Sequence, residues 1–123
     1  MPYQIDFEER GVYVRIQGVV TRDLIDEAVN IIWGHPSWSR AEYELWNYSD
    51  ISGVRIDNDY VVEVAFQDNA ASLTSERSKI AVVTDNDTLI AMTEHYRNWM
   101  NRFGVDVRWF AVLDEARAWL ATG

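Results

Sequence analysis

At 123 residues, with 48% apolar and 25% charged residues, the chain has the make-up of one globular domain spanning 1–123, with no disordered tract. Its 20 acidic against 11 basic residues leave a net charge of −9. That balance weighs against nucleic acid and anionic membranes as partners, since both are held by neutralising phosphates with Lys and Arg. With no cysteine there is no disulfide, thiolate nucleophile or thiolate metal site.

Tyr3, Ile5 and Phe7 alternate with polar residues, as do Val12, Val14 and Ile16. Period two predicts two half-buried strands, and Glu9-Arg10-Gly11 between them suits an antiparallel hairpin. Gly18 is expected to close the pair, with Thr21 as N-cap of a first helix that ends at Gly34-His35-Pro36. A third strand is expected over Tyr43 to Tyr48. Val61, Val62, Val64 and Phe66 have high β-propensity, yet Asp57-Asn58-Asp59 looks like a helix entrance. Parallel neighbours need a crossover, so residues 57–73 are read as helix.

Ile80 to Val83 is a continuous apolar run, the mark of a strand covered on both faces. Leu89, Met92, Tyr96, Trp99, Met100 and Phe103 then form one helical stripe closed by Gly104. Val105, Val107 and Trp109 alternate as a strand nearer an edge, and a last helix closes the chain. The order predicts an α/β fold: a mixed, mostly parallel five-stranded sheet with an N-terminal antiparallel hairpin and about four flanking helices. No apolar run approaches the roughly 18 residues of a membrane helix, and Met1-Pro2-Tyr3-Gln4 lacks the pattern of a secretory signal. The expected location is the cytoplasm.

Candidate chemistry is sparse. Asp57 and Asp59, like Asp85 and Asp87, flank an Asn ahead of a helix. Such oxygen-rich triplets can bind metal, but capping explains them and neither has the glycine and later glutamate of a calcium loop. No metal is therefore assigned. The second triplet follows the carboxyl end of a central parallel strand, where open α/β sheets tend to bind ligands. The loops at 49–59 and 85–88 are thus expected to flank any small-molecule site, with Ser49 and Ser52 as loop hydroxyls, and the 49–59 loop is a second interaction surface after Trp33 and Trp38. His35 and His95 are the only histidines, and no Gly-x-Ser-x-Gly elbow or phosphate-cradling loop is present. No catalytic residue and no cofactor is assigned. A carboxylate enzyme built on the two triplets would require them to converge with a histidine in reach. Trp33 and Trp38 bracket the Gly-His-Pro turn, where amphipathic aromatics can anchor a protein interface or simply staple the loop to the core.

Three features together carry a family resemblance. These are the N-terminal hairpin before strand–helix units, the segment Asn47-Tyr48-Ser49-Asp50-Ile51-Ser52-Gly53, and the closing Leu113-Asp114-Glu115-Ala116-Arg117-Ala118-Trp119-Leu120. The chain resembles the small bacterial SpoIIAA-like proteins, grouped with STAS and SEC14-type domains. The resemblance implies an α/β fold without cofactor. Its best understood relatives are anti-sigma-factor antagonists, which dock on a kinase-like partner and are switched by phosphorylation of a serine at the start of the helix after the third strand. Here that entrance reads Ile56-Asp57-Asn58-Asp59, without serine or threonine, and Ser49 and Ser52 lie upstream. The expected function is a non-enzymatic binding module acting through protein–protein contact, with a homodimer as one form. SEC14-type relatives imply the alternative, carriage of a small apolar or lipid-like ligand between sheet and helices.

Overall fold

A computed structural model describes residues 2–122. The hairpin is built from β1 (Tyr3–Phe7) and β2 (Gly11–Thr21), paired antiparallel with Phe7 opposite Val12. Then follow α1 (Arg22–Gly34), a 3₁₀ turn at Pro36–Arg40, β3 (Tyr43–Arg55), α2 (Asn58–Ala71) and a second 3₁₀ turn at Ser72–Thr74. β4 (Lys79–Val83), α3 (Asp87–Arg102), β5 (Asp106–Phe110) and α4 (Leu113–Leu120) complete the order. The sheet runs β1-β2-β3-β4-β5, with every pair after the first parallel. This is the mixed five-stranded α/β arrangement expected from the sequence.

Helix boundaries follow local chemistry. Thr21 Oγ1 accepts from the Leu24 amide, Asp57 Oδ1 from that of Tyr60 and Asn86 Oδ1 from that of Leu89. Each satisfies a backbone N–H that the first helical turn leaves free. Residues 57–73 are helical, so the crossover requirement overrides the β-propensity of the valines. Gly104, at φ 82°, ends α3 where a side chain would be strained.

The two sheet faces are dressed unequally. Val12, Val14, Ile16, Trp46, Ile80, Val82 and Val107 pack beneath α1, α2 and α3, while Leu45, Ala81 and Val83 pack against Ala116 and Leu120 of α4. β4 is therefore covered on both sides, which is why its sequence does not alternate. α2 leans on α3 instead of lying flat on the sheet. Its Phe66 packs at a tilt against Trp99 and Phe103, at 5.2 and 5.6 Å between centroids, and its Tyr60 hydroxyl donates to Asp26 of α1 at 2.6 Å.

Three expectations are corrected. Gly18 does not close the hairpin: at φ 77° it sits at a register shift, and β2 continues to Thr21 beside an equally prolonged β3. Ser49 and Ser52 accordingly lie on an exposed stretch of strand, not in a loop, because backbone pairing with β2 runs on to Arg55. Trp38 is no exposed anchor. It is 3% exposed, its Nε1 donates to Thr74 Oγ1 at 3.2 Å, and the Arg77 guanidinium lies over its ring. Burying so large a ring is worth more than displaying it.

Gly11 supplies a stability test. A Cβ there would lie 2.5 Å from the Tyr43 ring, which its hydroxyl bond to Glu8 holds in place. Gly11→Ala is expected to cost about 1–3 kcal/mol as overpacking, read as a lowered Tm in thermal unfolding.

Candidate functional site

The four aspartates singled out by the sequence are all exposed and stand at helix starts: Asp57 caps α2, Asp59 lies in its first turn, and Asp85 and Asp87 flank the cap of α3. Among the described residues no three or more His, Cys, Asp or Glu side chains gather to hold a metal ion. Trp33 is half-buried against the core, with its indole N–H enclosed and without a hydrogen-bond partner among the described residues. His35 stacks on Phe7 and its Nδ1 accepts from the Ser37 amide at 3.1 Å. His95 Nε2 accepts from Trp99 Nε1 at 3.2 Å, which leaves its Nδ1 to donate to Asn58 Oδ1 at 3.4 Å. Neither histidine has a carboxylate hydrogen-bond partner among the described residues, the arrangement that a general base would need.

The structure instead concentrates polar chemistry inside the fold. Because α2 leans away from the sheet, a cavity of about 90 Å³ remains between β3, β4 and the three helices. Ile25, Val29, Val61, Val64, Leu89 and Met92 supply its apolar wall. Glu44 and Tyr48 of β3, Asp68 of α2 and Tyr96 of α3 supply its polar side. Behind it lies Arg77, wholly buried, whose Nη1 donates to Glu44 and whose Nη2 donates to the Asp68 carbonyl at 3.1 Å and to Ser72 Oγ. Glu44 also accepts from Trp46 Nε1 at 3.0 Å.

Two carboxylates thus face one guanidinium. Arg77 is matched to Glu44, and the Asp68 carboxylate has one hydrogen-bond partner among the described residues, the Tyr96 hydroxyl. Burial, then the charge of Glu44, lift the Asp68 pKa from 3.8 to about 7, against the opposing pull of Arg77 and Tyr96. Burial and the same two carboxylates raise the Tyr48 phenol as well. At about 90 Å³ the cavity is too small for a lipid acyl chain.

Sequence reasoning missed this cluster, although one signal was present. Glu44 shares the period-two face of Trp46 and Tyr48, so a carboxylate stands in core phase on a strand. A buried carboxylate requires a cation, and Arg77 ahead of the next strand was the candidate.

A mixed sheet with three helices on one face and one on the other defines a small α/β fold. The chain belongs to the SpoIIAA-like family, whose profile matches residues 12–121. Curated protein sequences give no match. Two solved structures share the fold at 14% identity. One is the anti-sigma factor antagonist SpoIIAA in its unphosphorylated form, with a TM-score of 0.63 over 96% of this chain and 95% of that one. The other is an uncharacterised DUF3478-family protein with a SpoIIAA-like fold from Shewanella loihica PV-4, with a TM-score of 0.55 over 97% and 94%.

Proposed function

We propose that this chain is a non-enzymatic, cytoplasmic regulatory module that docks a protein partner with a basic surface onto the carboxyl edge of its parallel strands. One observation carries the reading. Every helix begins where a parallel strand ends, so all four helix starts lie on the carboxyl side of the sheet, those of α1 and α2 at the end of a β2–β3 reach that runs on past Asn47, the last β3 residue paired with β4. Asp23, Asp57, Asp59, Asp85, Asp87, Asp114 and Glu115 are exposed there, against Arg55 and an Arg22 already tied to Glu63 at 2.6 Å. Such a field speeds and orients encounter with a cationic surface more than it adds raw affinity. A second copy would set like charges face to face, so this edge favours a different protein over a homodimer.

The position where the family resemblance implies a phosphorylated serine is the α2 entrance, held by Asp57 accepting the Tyr60 amide at 2.9 Å. Asp57 offers no hydroxyl to phosphorylate, so partner binding at this edge is not gated by serine phosphorylation there.

The test is affinity capture from native extract by the wild-type chain and by the Asp57→Asn, Asp59→Asn, Asp85→Asn, Asp87→Asn variant. Asn caps helices as well as Asp does, so the variant keeps its fold while losing four charges. The expected result is a partner held at low salt, released as salt rises, and lost by the variant. Retention of the same proteins by the variant would contradict the reading.

A further inference from the structure

The cavity beneath α2 has a definite chemical preference that does not depend on the docking edge. Its apolar wall comes from the sheet, through Ile80 and Val82, and from three helices, with α1 contributing Ile25 and Val29, α2 Val61 and α3 Leu89. Tyr48 lines it at 8% exposure, and its hydroxyl takes no hydrogen bond among the described residues, unlike those of Tyr60 and Tyr96. Asp68, 6% exposed, lines the same space with only Tyr96 as its partner. Arg77 makes its ion pair with Glu44 and reaches only the backbone carbonyl of Asp68, so the Asp68 carboxylate shares that one guanidinium with Glu44 and has no cation in direct contact, beside a phenol free of hydrogen bonds among the described residues. Buried charges in proteins are otherwise paired or hydrogen-bonded throughout.

We infer that this cavity is a binding site for a small apolar amine, whose ammonium group pairs with Asp68 and donates to the Tyr48 oxygen while its short alkyl body lies against the helices. A cavity of about 150 Å³ accommodates benzene, so 90 Å³ suits a body of about four heavy atoms. Anionic ligands are repelled by Asp68 and Glu44, and a neutral alcohol gains the apolar contacts alone. The groups facing Asp68 are Glu44 and Tyr48 from β3, Tyr96 from α3 and Arg77 from the segment before β4. Since Asp68 must be ionised to pair, amine binding weakens as pH falls below about 7.

Titration with n-butylamine, 1-butanol and butyrate at pH 8, followed by backbone amide shifts in NMR, tests the site. Butylammonium is expected to bind about tenfold or more tightly than butanol, the difference expected of a hydrogen bond to a charged group, and butyrate not at all. The shifts should centre on Tyr48, Val61, Asp68 and Leu89. Asp68→Asn should bring the amine down to the affinity of the alcohol, and Tyr48→Phe should weaken the amine while leaving the alcohol unchanged. Equal affinity of amine and alcohol for the wild type, shifts centred elsewhere, or no shift with any of the three would overturn the assignment. An amine affinity unchanged in Tyr48→Phe would do the same, even if Asp68→Asn failed to fold.

Discussion

Arg77→Met is expected to destabilise the protein by about 3–5 kcal/mol, the usual consequence of stripping the counter-charge from a buried carboxylate. Arg77 is the only cation against Glu44 and Asp68 among the described residues, and it also ties the end of α2 to the sheet through the Asp68 carbonyl and Ser72 Oγ. Its removal leaves two enclosed carboxylates facing each other. Equilibrium unfolding in urea measures the loss. The double variant Glu44→Gln, Arg77→Met should recover part of it, because Gln still accepts from Trp46 Nε1 while one buried charge is gone. A loss below about 1 kcal/mol for Arg77→Met would mean that the pair is solvated, since exposed pairs are worth no more than that.

Asp68→Asn is expected to do the opposite at neutral pH and above. An acid whose pKa rises on folding holds its proton more tightly in the folded chain than in the unfolded one. Between 3.8 and about 7 folding therefore takes up a proton, and stability falls as pH climbs through that window. Wild type should lose stability from pH 5 to pH 8, and Asp68→Asn should stay level across it. At pH 8 the variant should be the more stable by at least about 1 kcal/mol, somewhat less than one pKa unit of coupling. Glu8 and Glu42, whose pKa values are lowered by Arg117 and Arg10, lose their contribution only below their unfolded value of 4.5. They leave the pH 5 to 8 window clear. Denaturant titrations of both proteins at several pH values decide the matter, and parallel curves would contradict it.

The expected and observed structures agree where local chemistry and periodicity point the same way. The Thr21 cap, the stripe from Leu89 to Phe103 and the two-sided burial of Ile80 to Val83 all follow from residue spacing. The agreement fails where tertiary pairing decides. Nothing near Ser49 signals that β2 and β3 run on together past Gly18, since that pairing joins segments 33 residues apart at Gly18 and Ile51. Trp38 looks like a loop aromatic until Arg77 and Thr74 arrive from the far side of α2. The polar interior was hidden for the same reason. Glu44, Asp68, Arg77 and Tyr96 come from four separate segments, each unremarkable by itself. The carboxylates at the helix starts were legible one by one, because each stands at its own helix N-terminus, whereas their spacing depends on how far each strand runs.

The docking claim is tested most directly by carbodiimide labelling of carboxylates, read by mass spectrometry, with the protein free and then bound to its captured partner. Asp57, Asp59, Asp85 and Asp87 should lose reactivity in the complex while Asp6 on the opposite reach of the hairpin keeps it. If those four stay fully reactive and the protected surface is instead the outer side of α2 with the 3₁₀ turn after it, where Phe66 and the 88% exposed Leu73 stand, the edge is not where the partner binds.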